Sequence, residues 1–228
     1  MEKKQYDLCI EILKRFNKVG ILDDFILIGS WCLHFYKGYF KNREYVERLT
    51  IKTRDIDFLI EHPQKISQQV DIPNLLKDLG FVTIFKGSKG YIKLDHPDLL
   101  LEFLVPEKGK GIDKPYPLPR LGMNAVTSRF LNFLTANTIR VQAEGFYLTM
   151  PHPANFALHK LIIFQRRTKE EKAIKDRNMA IGILEALIDK GESFFIKRVF
   201  KSIPVKWRLK IIEGLEMADG ENILAFLG

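Results

Sequence analysis

The chain has 228 residues, with 36 Lys+Arg against 28 Asp+Glu, a net charge of +8. That length suits one large domain or two small ones sharing a core, and 46% hydrophobic with 28% charged residues excludes an intrinsically disordered chain. Two cysteines, Cys9 and Cys32, belong to no metal-type spacing, which excludes a disulfide framework and fits free thiols in a reducing compartment.

In chain order, the acids in the first residues leave no uninterrupted apolar region for a signal peptide. Tyr6–Asn17 places Leu8, Ile12, Leu13 and Phe16 at helical spacing. Phe25-Ile26-Leu27-Ile28 reads as a strand ending in Gly29-Ser30, and Trp31–Tyr39 as a helix, giving strand, tight turn, helix. Lys41–Thr53 is polar and irregular. Asp55–Glu61 is a second strand, and Ile72–Gly80 a helix stopped by its glycine. Phe81–Phe85, Tyr91–Leu94 and Leu99–Val105 are further strands, the first two joined across Gly87-Ser88-Lys89-Gly90. Pro106–Gly122 reads as a loop, and Thr138–Gln142 with Tyr147–Met150 as a last strand pair.

After Pro151-His152-Pro153 the pattern turns helical, over Ala154–Arg167, Lys169–Asp189 and Ser193–Phe226 with an interruption at Pro204. Strands first and helices afterwards predict an α+β domain over 1–150 and a helical C-terminal domain over 151–228. Runs such as Leu99–Leu101 are too short to cross a bilayer. A cytoplasmic protein with no membrane partner is expected, and its basic excess leaves a nucleic acid or nucleotide partner open.

Acidic residues interrupt the strands in an informative way. In Asp55-Ile56-Asp57-Phe58-Leu59-Ile60, alternation puts Ile56, Phe58 and Ile60 on one face and Asp55 with Asp57 on the other. Aspartate is depleted in strands, and two on one face repel unless a cation lies between them. The alternative is a solvent-facing strand end. Glu102 interrupts Leu99-Leu100-Leu101-Glu102-Phe103-Leu104-Val105, where a carboxylate is costly unless paired or bound to metal; a half-exposed edge strand is the other reading. Three carboxylates on neighbouring strands suit magnesium, which takes oxygen ligands together with substrate phosphates. Two such ions about 3.5–4 Å apart stabilise both attacking and leaving oxygens.

Gly29 allows close backbone approach to an anion, and Ser30 offers a hydroxyl beside free backbone N–H groups. Both also suit an ordinary turn and helix cap. In this order, Gly29-Ser30, Asp55-Ile56-Asp57 and Glu102 resemble the signature of the DNA polymerase beta-type nucleotidyltransferase superfamily, over roughly residues 21–105. Leu158-His159-Lys160-Leu161 followed by Lys175-Asp176 resembles the abortive-infection toxin branch of nucleotidyltransferase-like proteins. The 24 residues between Ser30 and Asp55 exceed the family's usual spacing and place an insertion at Lys41–Thr53, from which Arg43, Arg48, Lys52 or Arg54 could reach phosphates.

The resemblance implies a small mixed sheet flanked by helices, with a helical C-terminal extension. It also implies transfer of a nucleoside monophosphate from an NTP, ATP among them, to an acceptor hydroxyl on RNA or tRNA, a protein or a small molecule. In that reading Gly29 and Ser30 hold the triphosphate, Asp55 and Asp57 bind two Mg²⁺ ions, and Glu102 takes the catalytic ion and helps deprotonate the acceptor. Lys160, whose helical neighbours Phe156, Ile163 and Phe164 are apolar, either snorkels to water or contacts phosphate. Asp176 either orients Lys160 or a base, or forms an interhelical salt bridge.

His34, His62, His96, His152 and His159 show no zinc-ligand spacing. Lys197, Arg198, Lys201, Lys206, Arg208 and Lys210, interleaved with Phe195, Phe200 and Trp207, read either as a solvated helical face or as a track for an RNA end. Two other readings remain: a non-catalytic binding module of the same fold, and the toxin half of a toxin–antitoxin pair, itself an enzyme that its partner protein inhibits.

Overall fold

A computed structural model describes residues 3–40, 53–107, 109, 114–218 and 220–227. The expected insertion, with Arg43, Arg48 and Lys52, lies outside the described residues except for Thr53. The described residues gather into two compact units, 3–35 with 53–150, and 36–40 with 151–227.

In the first unit, helix α1 (Lys3–Lys18) buries Cys9, Ile12, Leu13 and Phe16, a row at i, i+3, i+4 and i+7. Strand β1 (Ile26–Ile28) passes through a 3₁₀ turn at Gly29–Trp31 into α2 (Cys32–Phe40). Then follow β2 (Asp55–Leu59), α3 (Ile72–Leu76), β3 (Val82–Lys86), β4 (Tyr91–Asp95) and β5 (Leu100–Pro106). The unit continues through β6 (Tyr116–Leu118), β7 (Met123–Ser128), the short α4 (Asn132–Thr135), β8 (Thr138–Ala143) and β9 (Phe146–Pro151).

These strands form a mixed sheet in the order β3-β4-β5-β2-β1-β9-β8, with β7 joined to β5 and β6 to β7. The central trio sets the site. β1 and β2 run antiparallel, whereas β2 and β5 run parallel. The stretch Pro106–Gly122, which reads as loop in the sequence, contains β6. Proline lacks the N–H that a ladder needs, so such a segment is tolerated only beside a single partner, and its composition conceals it.

The two faces of β2 differ in chemistry. On one face Phe58 joins Phe16, Phe25 and Phe103, with ring centroids 5.4 to 5.7 Å apart. On the other, Leu59 packs with Ile26, Ile28, Leu131 and Leu134, and Leu104 lies against them. β4 and β7 share one edge of β5, and Asn124 bridges them: its Oδ1 accepts from the Ile92 N–H at 2.8 Å and its Nδ2 donates to the Gly90 carbonyl at 3.0 Å.

The second unit is helical. It contains the last turns of α2 and then α5 (Pro153–Ile163), α6 (Glu170–Asp189), α7 (Ser193–Ser202), α8 (Val205–Glu216) and α9 (Glu221–Leu227). α5 is buried from Pro153 to Ile162 because α6, α7 and α8 all pack on it. Tyr36 ties α2 to this bundle by donating to the Pro151 carbonyl at 2.7 Å. No helix among the described residues is long and apolar enough to cross a membrane.

Phe58 is 1% exposed and touches three other rings of the aromatic layer. Phe58→Ala is expected to lower unfolding free energy by about 3–5 kcal/mol, as large-to-small core changes do, measured by urea titration at neutral pH.

Candidate active site

The sheet brings Asp57 and Glu102 onto one rung. Asp57 pairs with Ile28 of β1 on one side and with Glu102 of β5 on the other, and Asp55 pairs with Leu100 two positions earlier. Strand alternation therefore places Asp55, Asp57 and Glu102 on one face, the face that carries the Leu59 cluster at its other end. All three are half-buried, while the intervening Ile56 and Phe58 are fully buried.

Gly29 adjoins this row. It sits at φ +74°, in the left-handed region, and a Cβ built there would lie 2.3 Å from Asp57 Oδ2. The glycine is required twice over, by its backbone conformation and by the carboxylate beside it. The turn is anchored from behind: Trp31 and Cys32 are buried, and the Cys32 thiol donates to the Leu27 carbonyl at 3.2 Å. Ser30 is half-buried at the start of this turn.

Sequence reasoning missed one charged member of the row. Lys93 on β4 places its Nζ 2.7 Å from Glu102 Oε1. Alternation sets Lys93 opposite in facing to Leu94, but only the Leu94–Leu101 rung shows which carboxylate it meets. Arg54, a sequence candidate for phosphate contact, donates instead to Asp95 Oδ1 at 2.9 Å and to the His96 carbonyl.

The carboxylates supply hard oxygen donors of the kind magnesium takes, and Gly29, having no side chain, leaves room for the Asp57 carboxylate against its backbone. Among the described residues no group of three or more His, Cys, Asp or Glu side chains stands gathered as a metal-holding cluster. Glu102 is engaged by Lys93.

In the second unit Lys160 donates to Asp176 Oδ1 at 2.5 Å, and Arg167 Nε donates to the other carboxylate oxygen at 2.7 Å. Lys160 and Asp176 are both buried. Burial pushes the Asp176 carboxyl up, but the two cations outweigh it and hold it below the ordinary aspartate value. His159, beside them, has its imidazole driven down to about 3 by burial and by Lys160, so it is neutral.

A second polar cluster joins α2 to α5 and α7. His152 caps α5 by accepting from the Ala154 N–H at 3.1 Å, which leaves its Nε2–H to donate to the Tyr39 hydroxyl at 2.9 Å. Tyr39 donates in turn to Glu192 at 2.7 Å. Of the aromatics interleaved with the late basic residues, Phe200 is buried and Phe195 lies 4.0 Å from the His152 ring. Arg198, Lys201 and Lys206 are exposed.

Two outcomes follow from these contacts. Gly29→Ala adds at least about 1–2 kcal/mol of left-handed strain and forces Asp57 aside, so thermal stability and nucleotide binding should fall together in melting and calorimetric measurements. Asp176→Asn leaves Lys160 buried without its charge partner and should cost about 3–5 kcal/mol at neutral pH. Because the Asp176 carboxyl is lowered, its contribution is complete above the ordinary value of about 4 and is lost as pH falls below it. Melting curves of wild type and Asp176→Asn should therefore converge in acid.

Residues 8–203 match the profile of the nucleotidyltransferase family. No curated protein matches the chain. The solution structure of the antibiotic-resistance factor ANT(2'')-Ia is similar at 14% identity and a TM-score of 0.42, over 87% of this chain and 94% of that one. A crystal structure of ANT(2'')-Ia in complex with adenylyl-2''-tobramycin is similar at 11% identity and a TM-score of 0.43, over 86% and 95% of the two chains. An antigenic nucleotidyltransferase-like protein from Paracoccidioides brasiliensis is similar at 11% identity and a TM-score of 0.47, over 96% of this chain and 91% of that one. Likenesses at that level say nothing of substrate or acceptor. The family match, by contrast, spans most of the chain, and the chain belongs to the nucleotidyltransferase family, transferases that move a nucleoside monophosphate.

Proposed function

We propose that the chain transfers a nucleoside monophosphate from a nucleoside triphosphate to an acceptor hydroxyl, with Mg²⁺ as cofactor and pyrophosphate as the second product. The observation that carries this reading is the single rung Ile28–Asp57–Glu102, with Gly29 folded against the Asp57 carboxylate. An acid row beside a turn that admits no Cβ suits a substrate that is itself polyanionic and brings a cation.

In this reading the backbone of Gly29 and Ser30 and the Ser30 hydroxyl bind the triphosphate. Asp55, Asp57 and Glu102 hold the cation, up to two ions. Bound there, magnesium supplies positive charge against the phosphate oxygens as the pyrophosphate leaves. The acceptor oxygen forms its bond to the α-phosphorus, the bond from that phosphorus to pyrophosphate breaks, and Glu102 accepts the hydroxyl proton. The phosphate role that the resemblance implies for Lys160 is a separate part of this reading; within the helical unit Lys160 shares its charge with Asp176. The exposed Arg198, Lys201 and Lys206 favour an RNA end, tRNA included, as the first acceptor to assay. Such catalysis is largely positioning and electrostatics, in keeping with a site set on adjacent strands.

Asp57→Asn keeps shape but removes a charged oxygen ligand. It should abolish transfer from a radiolabelled NTP while leaving the circular dichroism spectrum and melting temperature close to wild type. Full transfer activity in that variant, with RNA, protein and small polyol acceptors assayed in parallel, would remove Asp57 from the site.

A further inference from the structure

Among the described residues, Lys93 is the one buried cation on the acid face, and the reaction as proposed above does not use it. It is only 7% exposed, and an ammonium so placed is costly unless a carboxylate meets it. Glu102 meets it at 2.7 Å. Its strand is held fixed by Asn124, which grips the backbone at Gly90 and Ile92, and by the Leu94–Leu101 rung. What can move is the side chain alone, a flexible four-carbon stem with a compact charge at its end. The backbone therefore keeps Lys93 within reach of Glu102 while the ammonium is free to exchange partners.

We propose that Lys93 is a positioning residue that occupies the Glu102 carboxylate in the nucleotide-free enzyme, so that a divalent cation reaching Asp57 and Glu102 must displace its ammonium. This rests on the reading of Asp57 and Glu102 as cation ligands. Lys93 neutralises part of the row's negative charge and lowers its attraction for a bare cation. A nucleotide offsets that competition, since it arrives with its own cation and brings phosphate oxygens to which the displaced ammonium can turn. Loading of the cation is thus coupled to loading of the nucleotide, and the row binds divalent ions more weakly when no substrate is present.

The test uses Mn²⁺ as probe, titrated into nucleotide-free protein and followed by electron paramagnetic resonance. Lys93→Met, which keeps the stem and removes the charge, should bind Mn²⁺ at least about tenfold tighter than wild type, equivalent to ~1.4 kcal/mol of relieved competition. Lys93→Arg should stay near wild type. Equal or weaker Mn²⁺ binding in a folded Lys93→Met overturns the proposal, because a purely structural ion pair predicts loss of stability without any gain in cation affinity.

A second measurement needs no variant. Acetylation of Lys93 by a small anhydride, read by peptide mass spectrometry on the wild-type chain, should speed up severalfold on addition of Mn²⁺. An unchanged rate at saturating Mn²⁺ overturns the proposal, even if Lys93→Met fails to fold. Asp57→Asn separates the two layers of argument. Retained Mn²⁺ binding in that variant defeats the cation reading and this inference together. Lost binding in Asp57→Asn, combined with wild-type affinity in Lys93→Met, defeats this inference alone.

Discussion

Two like charges cannot be set side by side on a half-buried sheet face without something to offset them. Asp57 and Glu102 share a rung of a parallel pair, where neighbouring strands stand about 5 Å apart. At that separation two unit charges repel by about 3 kcal/mol with an effective dielectric of about 20. Three local features answer this constraint. Lys93 brings a positive charge to Glu102 from the next strand. Gly29 withholds a side chain so that Asp57 has room. Asn124 holds β4 where Lys93 reaches its partner. Each is intelligible only in relation to the shared rung.

The same strands make the site rigid. On the far face of β2, Phe58 and Phe103 stack at 5.7 Å within an aromatic layer completed by Phe16 and Phe25. On the near face Leu59, Leu104 and Ile26 form an apolar end where α4 delivers Leu131 and Leu134. The acids stand at the other end of that face. A displacement of one residue along β2 would bury the aspartates and expose Phe58, an exchange the aromatic layer forbids. Register and chemistry are therefore specified together.

In the helical unit the buried charges are organised differently. Asp176 serves two cations at once, Lys160 from α5 and Arg167 from just beyond it. An arrangement of this kind constrains how α5 and α6 pack, since separating the partners leaves an uncompensated charge in the interior. The His152–Tyr39–Glu192 chain does comparable work with fewer charges, because burial lowers the His152 imidazole to about 4 and keeps it neutral. The late aromatics Phe195 and Phe200 are taken up by this packing, which leaves Arg198, Lys201 and Lys206 as the polar outer surface.

Much of this was legible in the chain itself. Alternation in Asp55–Ile60 determined that the two aspartates share a face, because side chains on a strand repeat every two residues. The interruption of an apolar run singled out Glu102 as either partnered or on a half-exposed edge strand, and the strand–Gly–Ser–helix order determined where the turn would lie. Other features depend on pairings between residues distant in sequence, which periodicity cannot reveal. β6 was hidden by its prolines. The partner of Glu102 became identifiable only once β4 and β5 were in register at Leu94 and Leu101. The need for glycine at position 29 came from Asp57, 28 residues away and brought alongside by the antiparallel β1–β2 pairing. Periodicity sets which way a side chain points; what it meets is decided by the strand laid next to it.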